Sequence, residues 1–191
     1  MSRAVLSIGS NLGDRIAHLR SVVVALGPRV RAVSPVYTTA PWGGVEQDDF
    51  LNAVVVAEDD GFDAYDWLRV CRELESAADR VRVQRWGPRS LDVDVIVCET
   101  SAGSVVSDDP ELVLPHPRAH ERAFVLVPWL DVDPDAMLTV AGVSRPVAQW
   151  LGDLDDAERD GVRPSDLDPT DTVTTGGTAD GPADGPAGGS A

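Results

Sequence analysis

Asp92 and Asp94 stand two apart in Leu91-Asp92-Val93-Asp94-Val95. In an extended strand side chains alternate between faces, so both carboxylates leave the same side, with alpha carbons roughly 6–7 Å apart. Like charges repel there, and aspartate is a poor strand former. A divalent cation removes both objections, and Mg²⁺ takes one or two carboxylates together with waters and substrate phosphates. Two exposed acids on a solvated edge strand satisfy the same spacing. The upstream run Arg80-Val81-Arg82-Val83-Gln84-Arg85-Trp86-Gly87-Pro88-Arg89 shifts the balance, because it holds four arginines and no acid. Guanidinium forks grip phosphate oxygens two at a time. A basic loop beside an acid pair describes a polyphosphate site, with arginines on the anionic oxygens and carboxylates on the neutralising metal.

Weaker signals surround this pair. Glu75 lies seven residues after Leu68, which returns it to the apolar side of a helix, either at the rim of a site or as a satisfied polar group near the core. Gly9-Ser10-Asn11-Leu12-Gly13-Asp14 has the look of a phosphate loop but lacks the Gly-Lys-Ser/Thr ending, and a glycine turn with a helix cap explains it as well. Phe50 and Asn52 share a strand face, where a ring can stack on the phenyl while the amide reads its edge; a core Phe and a strand-end Asn fit equally. Thr39-Ala40-Pro41-Trp42-Gly43-Gly44 is placed to cover such a ligand, and Leu114-Pro115-His116-Pro117-Arg118 is a rigid turn presenting His116, followed by Arg122 and Phe124. No Ser/His/Asp or Cys/His nucleophile arrangement is evident.

The elements that must position these residues alternate along the chain. The spacing predicts a strand over Ala4–Ile8, a helix capped by Asp14 and stopped at Gly27-Pro28, and a strand over Val30–Tyr37. Next come a strand over Phe50–Ala57, a helix from Ala64 to about Arg80 and a strand over Leu91–Val97. Strand, helix, strand, strand, helix, strand is the ferredoxin-like split βαβ order, an α+β sandwich of helices on an antiparallel sheet. Beyond Pro110 an apolar stretch Phe124–Leu130 and a short helix near Val147–Leu151 complete the body.

The chain has 191 residues and a net charge of −16, and all 16 of its basic residues are arginine. That balance argues against a general nucleic-acid surface. Two cysteines, Cys71 and Cys98, make no disulfide framework and fit a reducing cytoplasm. No apolar run approaches the ~20 residues of a membrane helix, and no signal peptide is visible. Residues 1–152 are expected to form the catalytic domain, 153–163 a linker or frayed helix, and 164–191 a disordered acidic tail rich in Gly, Pro, Asp and Thr.

Taken together, Gly9-Ser10-Asn11-Leu12-Gly13-Asp14, Phe50-Leu51-Asn52-Ala53, Arg80-Val81-Arg82, Arg85-Trp86-Gly87-Pro88-Arg89-Ser90-Leu91-Asp92-Val93-Asp94 and Leu114-Pro115-His116-Pro117-Arg118 with Arg122 and Phe124 resemble the 6-hydroxymethyl-7,8-dihydropterin pyrophosphokinases of folate biosynthesis. The resemblance spans roughly residues 4–135 and implies the same ferredoxin-like fold. It implies transfer of diphosphate from ATP to the pterin hydroxymethyl group with release of AMP, by a cytoplasmic monomer. By resemblance Asp92 and Asp94 bind two Mg²⁺ ions, and Arg80, Arg82 and Arg89 join them as catalytic residues. Glu75, Arg82, Trp86, Arg89, His116 and Arg122 are assigned to ATP. Thr39, Ala40, Trp42, Phe50, Asn52 and Phe124 are assigned to the pterin, between the two phenyl rings. The loops carrying Trp42 and the arginines are expected to close over bound substrates. This chain departs from the family pattern at Phe50 (commonly tyrosine), Arg72 (glutamine), Glu111 (arginine) and Val113 (threonine).

Overall fold

The computed structural model describes residues 1–41, 48–78 and 89–171. Of the residues singled out above, Trp42, Arg80, Arg82, Arg85 and Trp86 lie outside that set, as does the chain from residue 172 onward.

Strand β1 (Ser2–Ser10) leads into helix α1 (Arg15–Leu26). Asp14 caps that helix by accepting the Ala17 N–H at 3.1 Å, and Gly27 ends it with φ at +52°, a conformation that strains other residues. The strand expected over Val30–Tyr37 is two strands, β2 (Val30–Val33) and β3 (Tyr37–Thr39). Ser34 and Pro35 cause the break. Proline has no N–H to give the ladder, and the Ser34 hydroxyl accepts the Val54 N–H at 2.9 Å in place of a backbone carbonyl. Strand β4 (Phe50–Asp59) follows, then helix α2 (Ala64–Ala77), started by a capping box between Asp63 and Asp66. Strand β5 (Asp92–Thr100) is succeeded by three short strands, β6 (Gly103–Ser104), β7 (Ser107–Asp109) and β8 (Leu112–Leu114). The apolar run predicted over Phe124–Leu130 lies within helix α3 (Ala123–Val132), with Pro128 inside it. A hairpin of β9 (Met137–Val140) and β10 (Val143–Pro146) leads to helix α4 (Val147–Asp153). Helix α5 (Asp156–Asp160) and strand β11 (Arg163–Pro164) come last.

The main sheet runs β11-β3-β4-β1-β5-β6, with β2 also on β4, and its pairs are antiparallel. Inserting β4 between β1 and the β2–β3 edge gives the split βαβ arrangement read from the sequence. One face carries Ala4, Leu6, Ile8, Ala53, Val55, Val93 and Val95 against α1 and α2, with Trp67 fully buried. The other carries Val5, Val54, Val56 and Ile96 against α3, α4 and the β9–β10 hairpin. The molecule is therefore three layers, with a helical layer on each side of the sheet.

One bulge adjusts β5. Val5 faces Val97 while Leu6 faces Val95, so Ile96 is an extra residue, and the alternation of sides reverses beyond it. Cys98 thereby returns to the α1–α2 core. The first residues of the expected disordered tail are ordered: Arg163 and Pro164 pair with Thr38 and Tyr37, while residues 172–191 of that segment lie outside the described residues. Backbone hydrogen bonding to the free edge of β3 overrides the weak local composition, and the Ser165 N–H continues it onto the Val36 carbonyl at 2.9 Å.

Candidate active site

Strand register builds the floor of the site. Gly9 on the central strand faces Asn52 of β4 on one side and Asp92 of β5 on the other. Two residues earlier Ser7 faces Val54 and Asp94 in the same way. Neighbouring strands lie about 4.8 Å apart, so Asn52 and Asp92 stand about 10 Å from each other across a residue with no side chain. Phe50, Asn52, Ser7, Gly9, Asp92 and Asp94 all project from the face that carries Val5, Val54 and Ile96. Helix α3 covers that face, and its first turn supplies Phe124 beside Arg122. A methyl group added at Gly9 would meet Asn52 Oδ1 at 3.0 Å and the Phe50 ring at 3.8 Å, so the glycine keeps this floor open.

The polar side chains are held in set directions. The buried Asn52 amide donates to the Thr39 hydroxyl at 2.8 Å, which brings together two of the residues expected to read the pterin. The carboxylates of Asp92 and Asp94 meet basic groups. Arg89 Nη1 donates to Asp92 Oδ2. Asp94 Oδ2 lies 3.6 Å from Arg122 Nη1 and 3.9 Å from His116 Nε2. Burial pulls the Arg122 guanidinium below its ordinary value, with the Asp94 charge acting against that. His116 is pushed down to about 4, first by burial and then by the charge of Arg122. Its Nδ1 accepts the Arg118 N–H at 3.2 Å, which leaves a neutral ring with its proton on Nε2, facing Asp94. The bulge in β5 places this ring, because the His116 N–H donates to the Ile96 carbonyl at 2.8 Å.

Glu75 plays a framework part. Its Oε1 accepts the Val93 N–H at 3.0 Å, joining α2 to the outer edge of β5 midway between the two aspartates. The departures at Arg72 and Glu111 sit together on the surface, where they form an ion pair at 3.3 Å.

The two carboxylates fit a hard divalent cation. They share one face at alternate positions, and no third His, Cys, Asp or Glu joins them among the described residues. Such a donor set suits Mg²⁺, which keeps waters and takes its other ligands from phosphate.

The family model described as 7,8-dihydro-6-hydroxymethylpterin-pyrophosphokinase (HPPK) matches residues 5–134. This chain belongs to that family. A 2-amino-4-hydroxy-6-hydroxymethyldihydropteridine pyrophosphokinase of Mycobacterium tuberculosis H37Rv is 57% identical over 168 residues, covering 85% of this chain and 89% of the relative. One of the same name from Methylorubrum extorquens is 48% identical over 142 residues, covering 72% and 87%. Among solved structures, Plasmodium falciparum HPPK-DHPS wild type with pterin and p-hydroxybenzoate superposes with a TM-score of 0.56 at 14% identity. The superposition covers 79% of this chain and 42% of that one, and at that identity it speaks for the fold alone. The fold is the ferredoxin-like α+β architecture read from the sequence.

Measured against those expectations, the structure gathers Phe50, Asn52, Asp92, Asp94, Arg122 and Phe124 on one face, with Thr39, Arg89 and His116 at its margins. Ala40 continues the chain from Thr39 at the end of β3. Glu75 meets the strand of the acid pair at the Val93 N–H. Sequence reasoning did not mention Ser7 and gave Gly9 and Asn11 no role in the site beyond a glycine turn. Gly9 and Asn11 carried a signal in the glycine turn, but only strand register shows that Gly9 lies between the amide and the carboxylate.

Proposed function

We propose that this chain transfers the diphosphate group of ATP to the hydroxymethyl oxygen of 6-hydroxymethyl-7,8-dihydropterin, in folate biosynthesis, with Mg²⁺ as cofactor. A bond forms between the alcohol oxygen and the β-phosphorus as the alcohol O–H bond breaks and its proton passes to solvent, the bond from that phosphorus to the α,β-bridging oxygen breaks, and AMP leaves with that oxygen and the electron pair. The observation that carries this reading is the cross-strand row Asn52–Gly9–Asp92, which sets a group able to recognise a planar heterocycle beside a group able to bind metal.

Asn52 and Thr39 hold the edge of the pterin, while Phe50 and Phe124 hold its faces. Asp92 and Asp94 would hold two Mg²⁺ ions, which would supply charge neutralisation to the phosphates. Arg89, Arg122 and the Nε2–H of His116 then turn from the carboxylates to phosphate oxygens, a short move because they already flank Asp92 and Asp94. Arg80, Arg82 and Trp86 are assigned to the same polyphosphate, and Trp42 to the pterin, on the motifs of the sequence. A net charge of −16 does not favour nucleic acid as a partner. The free, buried cysteines Cys71 and Cys98 accord with a cytoplasmic setting. Among the described residues no helix is long and apolar enough to cross a membrane.

The test is AMP release from ATP, with and without the reduced pterin alcohol, in Mg²⁺ and in chelator. AMP is expected only when pterin and Mg²⁺ are both present. Asp92→Ala and Asp94→Ala are expected to abolish it while the circular dichroism spectrum is kept. ATP binding without AMP formation would instead identify a nucleotide-sensing module, and activity retained in both variants would remove the metal assignment.

A further inference from the structure

Residues 155–171 lie outside the family-matched segment 5–134, yet they are attached to the frame of the site at two places. The first is α5. Its cap Asp155 accepts the Glu158 N–H at 2.8 Å, and the Glu158 carboxylate accepts the N–H of Ala123 at 3.4 Å. Ala123 is the first residue of α3, a helix whose preceding residue, Arg122, makes no side-chain cap. A carboxylate from α5 thus satisfies one of the open N–H groups at the positive end of α3. Ala123 stands between Arg122 and Phe124.

The second attachment is β11. Arg163 and Pro164 extend the sheet beyond Thr38 and Tyr37, the Ser165 N–H donates to the Val36 carbonyl at 2.9 Å, and Arg163 Nη2 reaches Asp49 Oδ2 at 3.0 Å. Thr38 precedes Thr39, and Asp49 precedes Phe50. The chain then crosses to α1, where Arg20 Nε donates to the Asp168 carbonyl at 3.2 Å and Pro169 is buried. One continuous stretch is therefore fastened next to Phe124 on the helix and next to Phe50 on the sheet. Those two rings belong to separate elements, and a sandwiched heterocycle needs a fixed gap between them.

Resting on the pterin reading above, we infer that residues 155–171 are a brace that sets the gap between Phe50 and Phe124. The exposed Arg163–Asp49 pair contributes little by itself, since water screens its charges and two long side chains must be ordered to form it. The backbone bonds of β11 and the Glu158 contact hold the segment, and those are the contacts to remove. Glu158 and Ser165 are positioning residues, neither of which touches substrate.

The experiment uses the full chain, with pterin affinity measured directly from pterin fluorescence and both KM values from AMP release. Glu158→Ala removes the contact with Ala123, and Ser165→Pro removes the N–H that holds Val36. Each is expected to weaken pterin binding about 3- to 10-fold while the KM for ATP and kcat stay within twofold. Glu158→Gln, which keeps an acceptor oxygen, is expected to restore pterin affinity. Arg29→Ala breaks an ion pair with Asp59 at the far end of β4, and it is expected to lower thermal stability without moving pterin affinity. Pterin affinity within twofold of the unaltered chain in both brace variants overturns the inference. So does an equal loss for both substrates, or the same pterin loss in Arg29→Ala. A chain that binds pterin but forms no AMP overturns the catalytic reading alone, and the brace is then judged on pterin affinity.

Discussion

Asn11 and Arg89 hold each other through reciprocal hydrogen bonds. The Arg89 N–H donates to Asn11 Oδ1 at 2.7 Å, and the Asn11 backbone N–H donates to the Arg89 carbonyl at 3.1 Å. The Asn11 side-chain amide also donates to the Asp48 carbonyl at 3.2 Å. A single buried asparagine therefore ties the turn after β1 to the chain entering β4 and the chain entering β5. The glycine-flanked turn that resembles a phosphate loop acts as a clamp, and what it fixes is the arginine that reaches Asp92.

Asn11→Ala leaves the Arg89 N–H and the Asp48 carbonyl without this partner. An unsatisfied buried donor or acceptor costs about 1–3 kcal/mol. The thermal midpoint is expected to fall, and kcat/KM for AMP formation to drop about 10- to 100-fold as Arg89 loses its fixed origin. Asn11→Asp keeps the acceptor for the Arg89 N–H and loses the donor to Asp48, so it is expected to fall between. The three proteins compared by thermal melt and AMP assay decide the matter. Full activity in Asn11→Ala would show that the clamp does not place Arg89.

Gly9→Ala tests the floor. The new methyl lies 3.0 Å from Asn52 Oδ1, and the Asn52 amide is pinned by its bond to Thr39. Asn52 must give way or lose that bond. The KM for the pterin is expected to rise about 10-fold with the KM for ATP little changed, and Gly9→Val is expected to be worse. Steady-state kinetics with each substrate varied in turn check this.

These two predictions mark what was legible in the sequence. The acid pair was, because alternation along one strand puts Asp92 and Asp94 on one face whatever lies beside it. The strand–helix order was, because the cap at Asp14 and the stop at Gly27 are local chemistry. Gly9 was not, since its place between Asn52 and Asp92 depends on register between strands more than 40 residues apart in sequence. Nor was the Ile96 bulge, because nothing in Val95-Ile96-Val97 announces an extra residue, yet its carbonyl holds the backbone of His116. β11 was hidden for a different reason: Arg163-Pro164 has no strand character and forms a strand only because β3 offers an open edge.

Glu75 separates a framework role from a nucleotide contact. Its carboxylate accepts the Val93 N–H on the outer edge of β5. Glu75→Gln retains an acceptor oxygen, so stability and the KM for ATP are expected to stay near those of the unaltered protein. Glu75→Ala uncovers the Val93 N–H and is expected to cost about 1–3 kcal/mol of stability. Urea unfolding and ATP kinetics on both variants settle the assignment. A large rise in the KM for ATP in Glu75→Gln would place the charge itself at the nucleotide.

His116 makes stability depend on pH in a stated direction. Burial and the neighbouring Arg122 lower it from 6.5 to about 4, so the folded chain keeps a neutral ring where the unfolded chain takes up a proton. Between those values the unfolded state binds more protons, and stability therefore falls as pH drops through the window and levels off below about 4. At one pKa unit per 1.36 kcal/mol the whole effect is about 3 kcal/mol. Groups other than His116 also titrate there, so the measurement is the difference in unfolding free energy between the unaltered protein and His116→Gln, followed by urea from pH 8 to pH 4.5. That difference is expected to shift against the unaltered protein as pH falls. Adding Mg²⁺ and a non-hydrolysable ATP analogue brings phosphate charge up to Nε2, which favours the protonated ring, and is expected to flatten the slope. A difference that does not change with pH would mean that the imidazole titrates as it does in water and is not held neutral against Asp94.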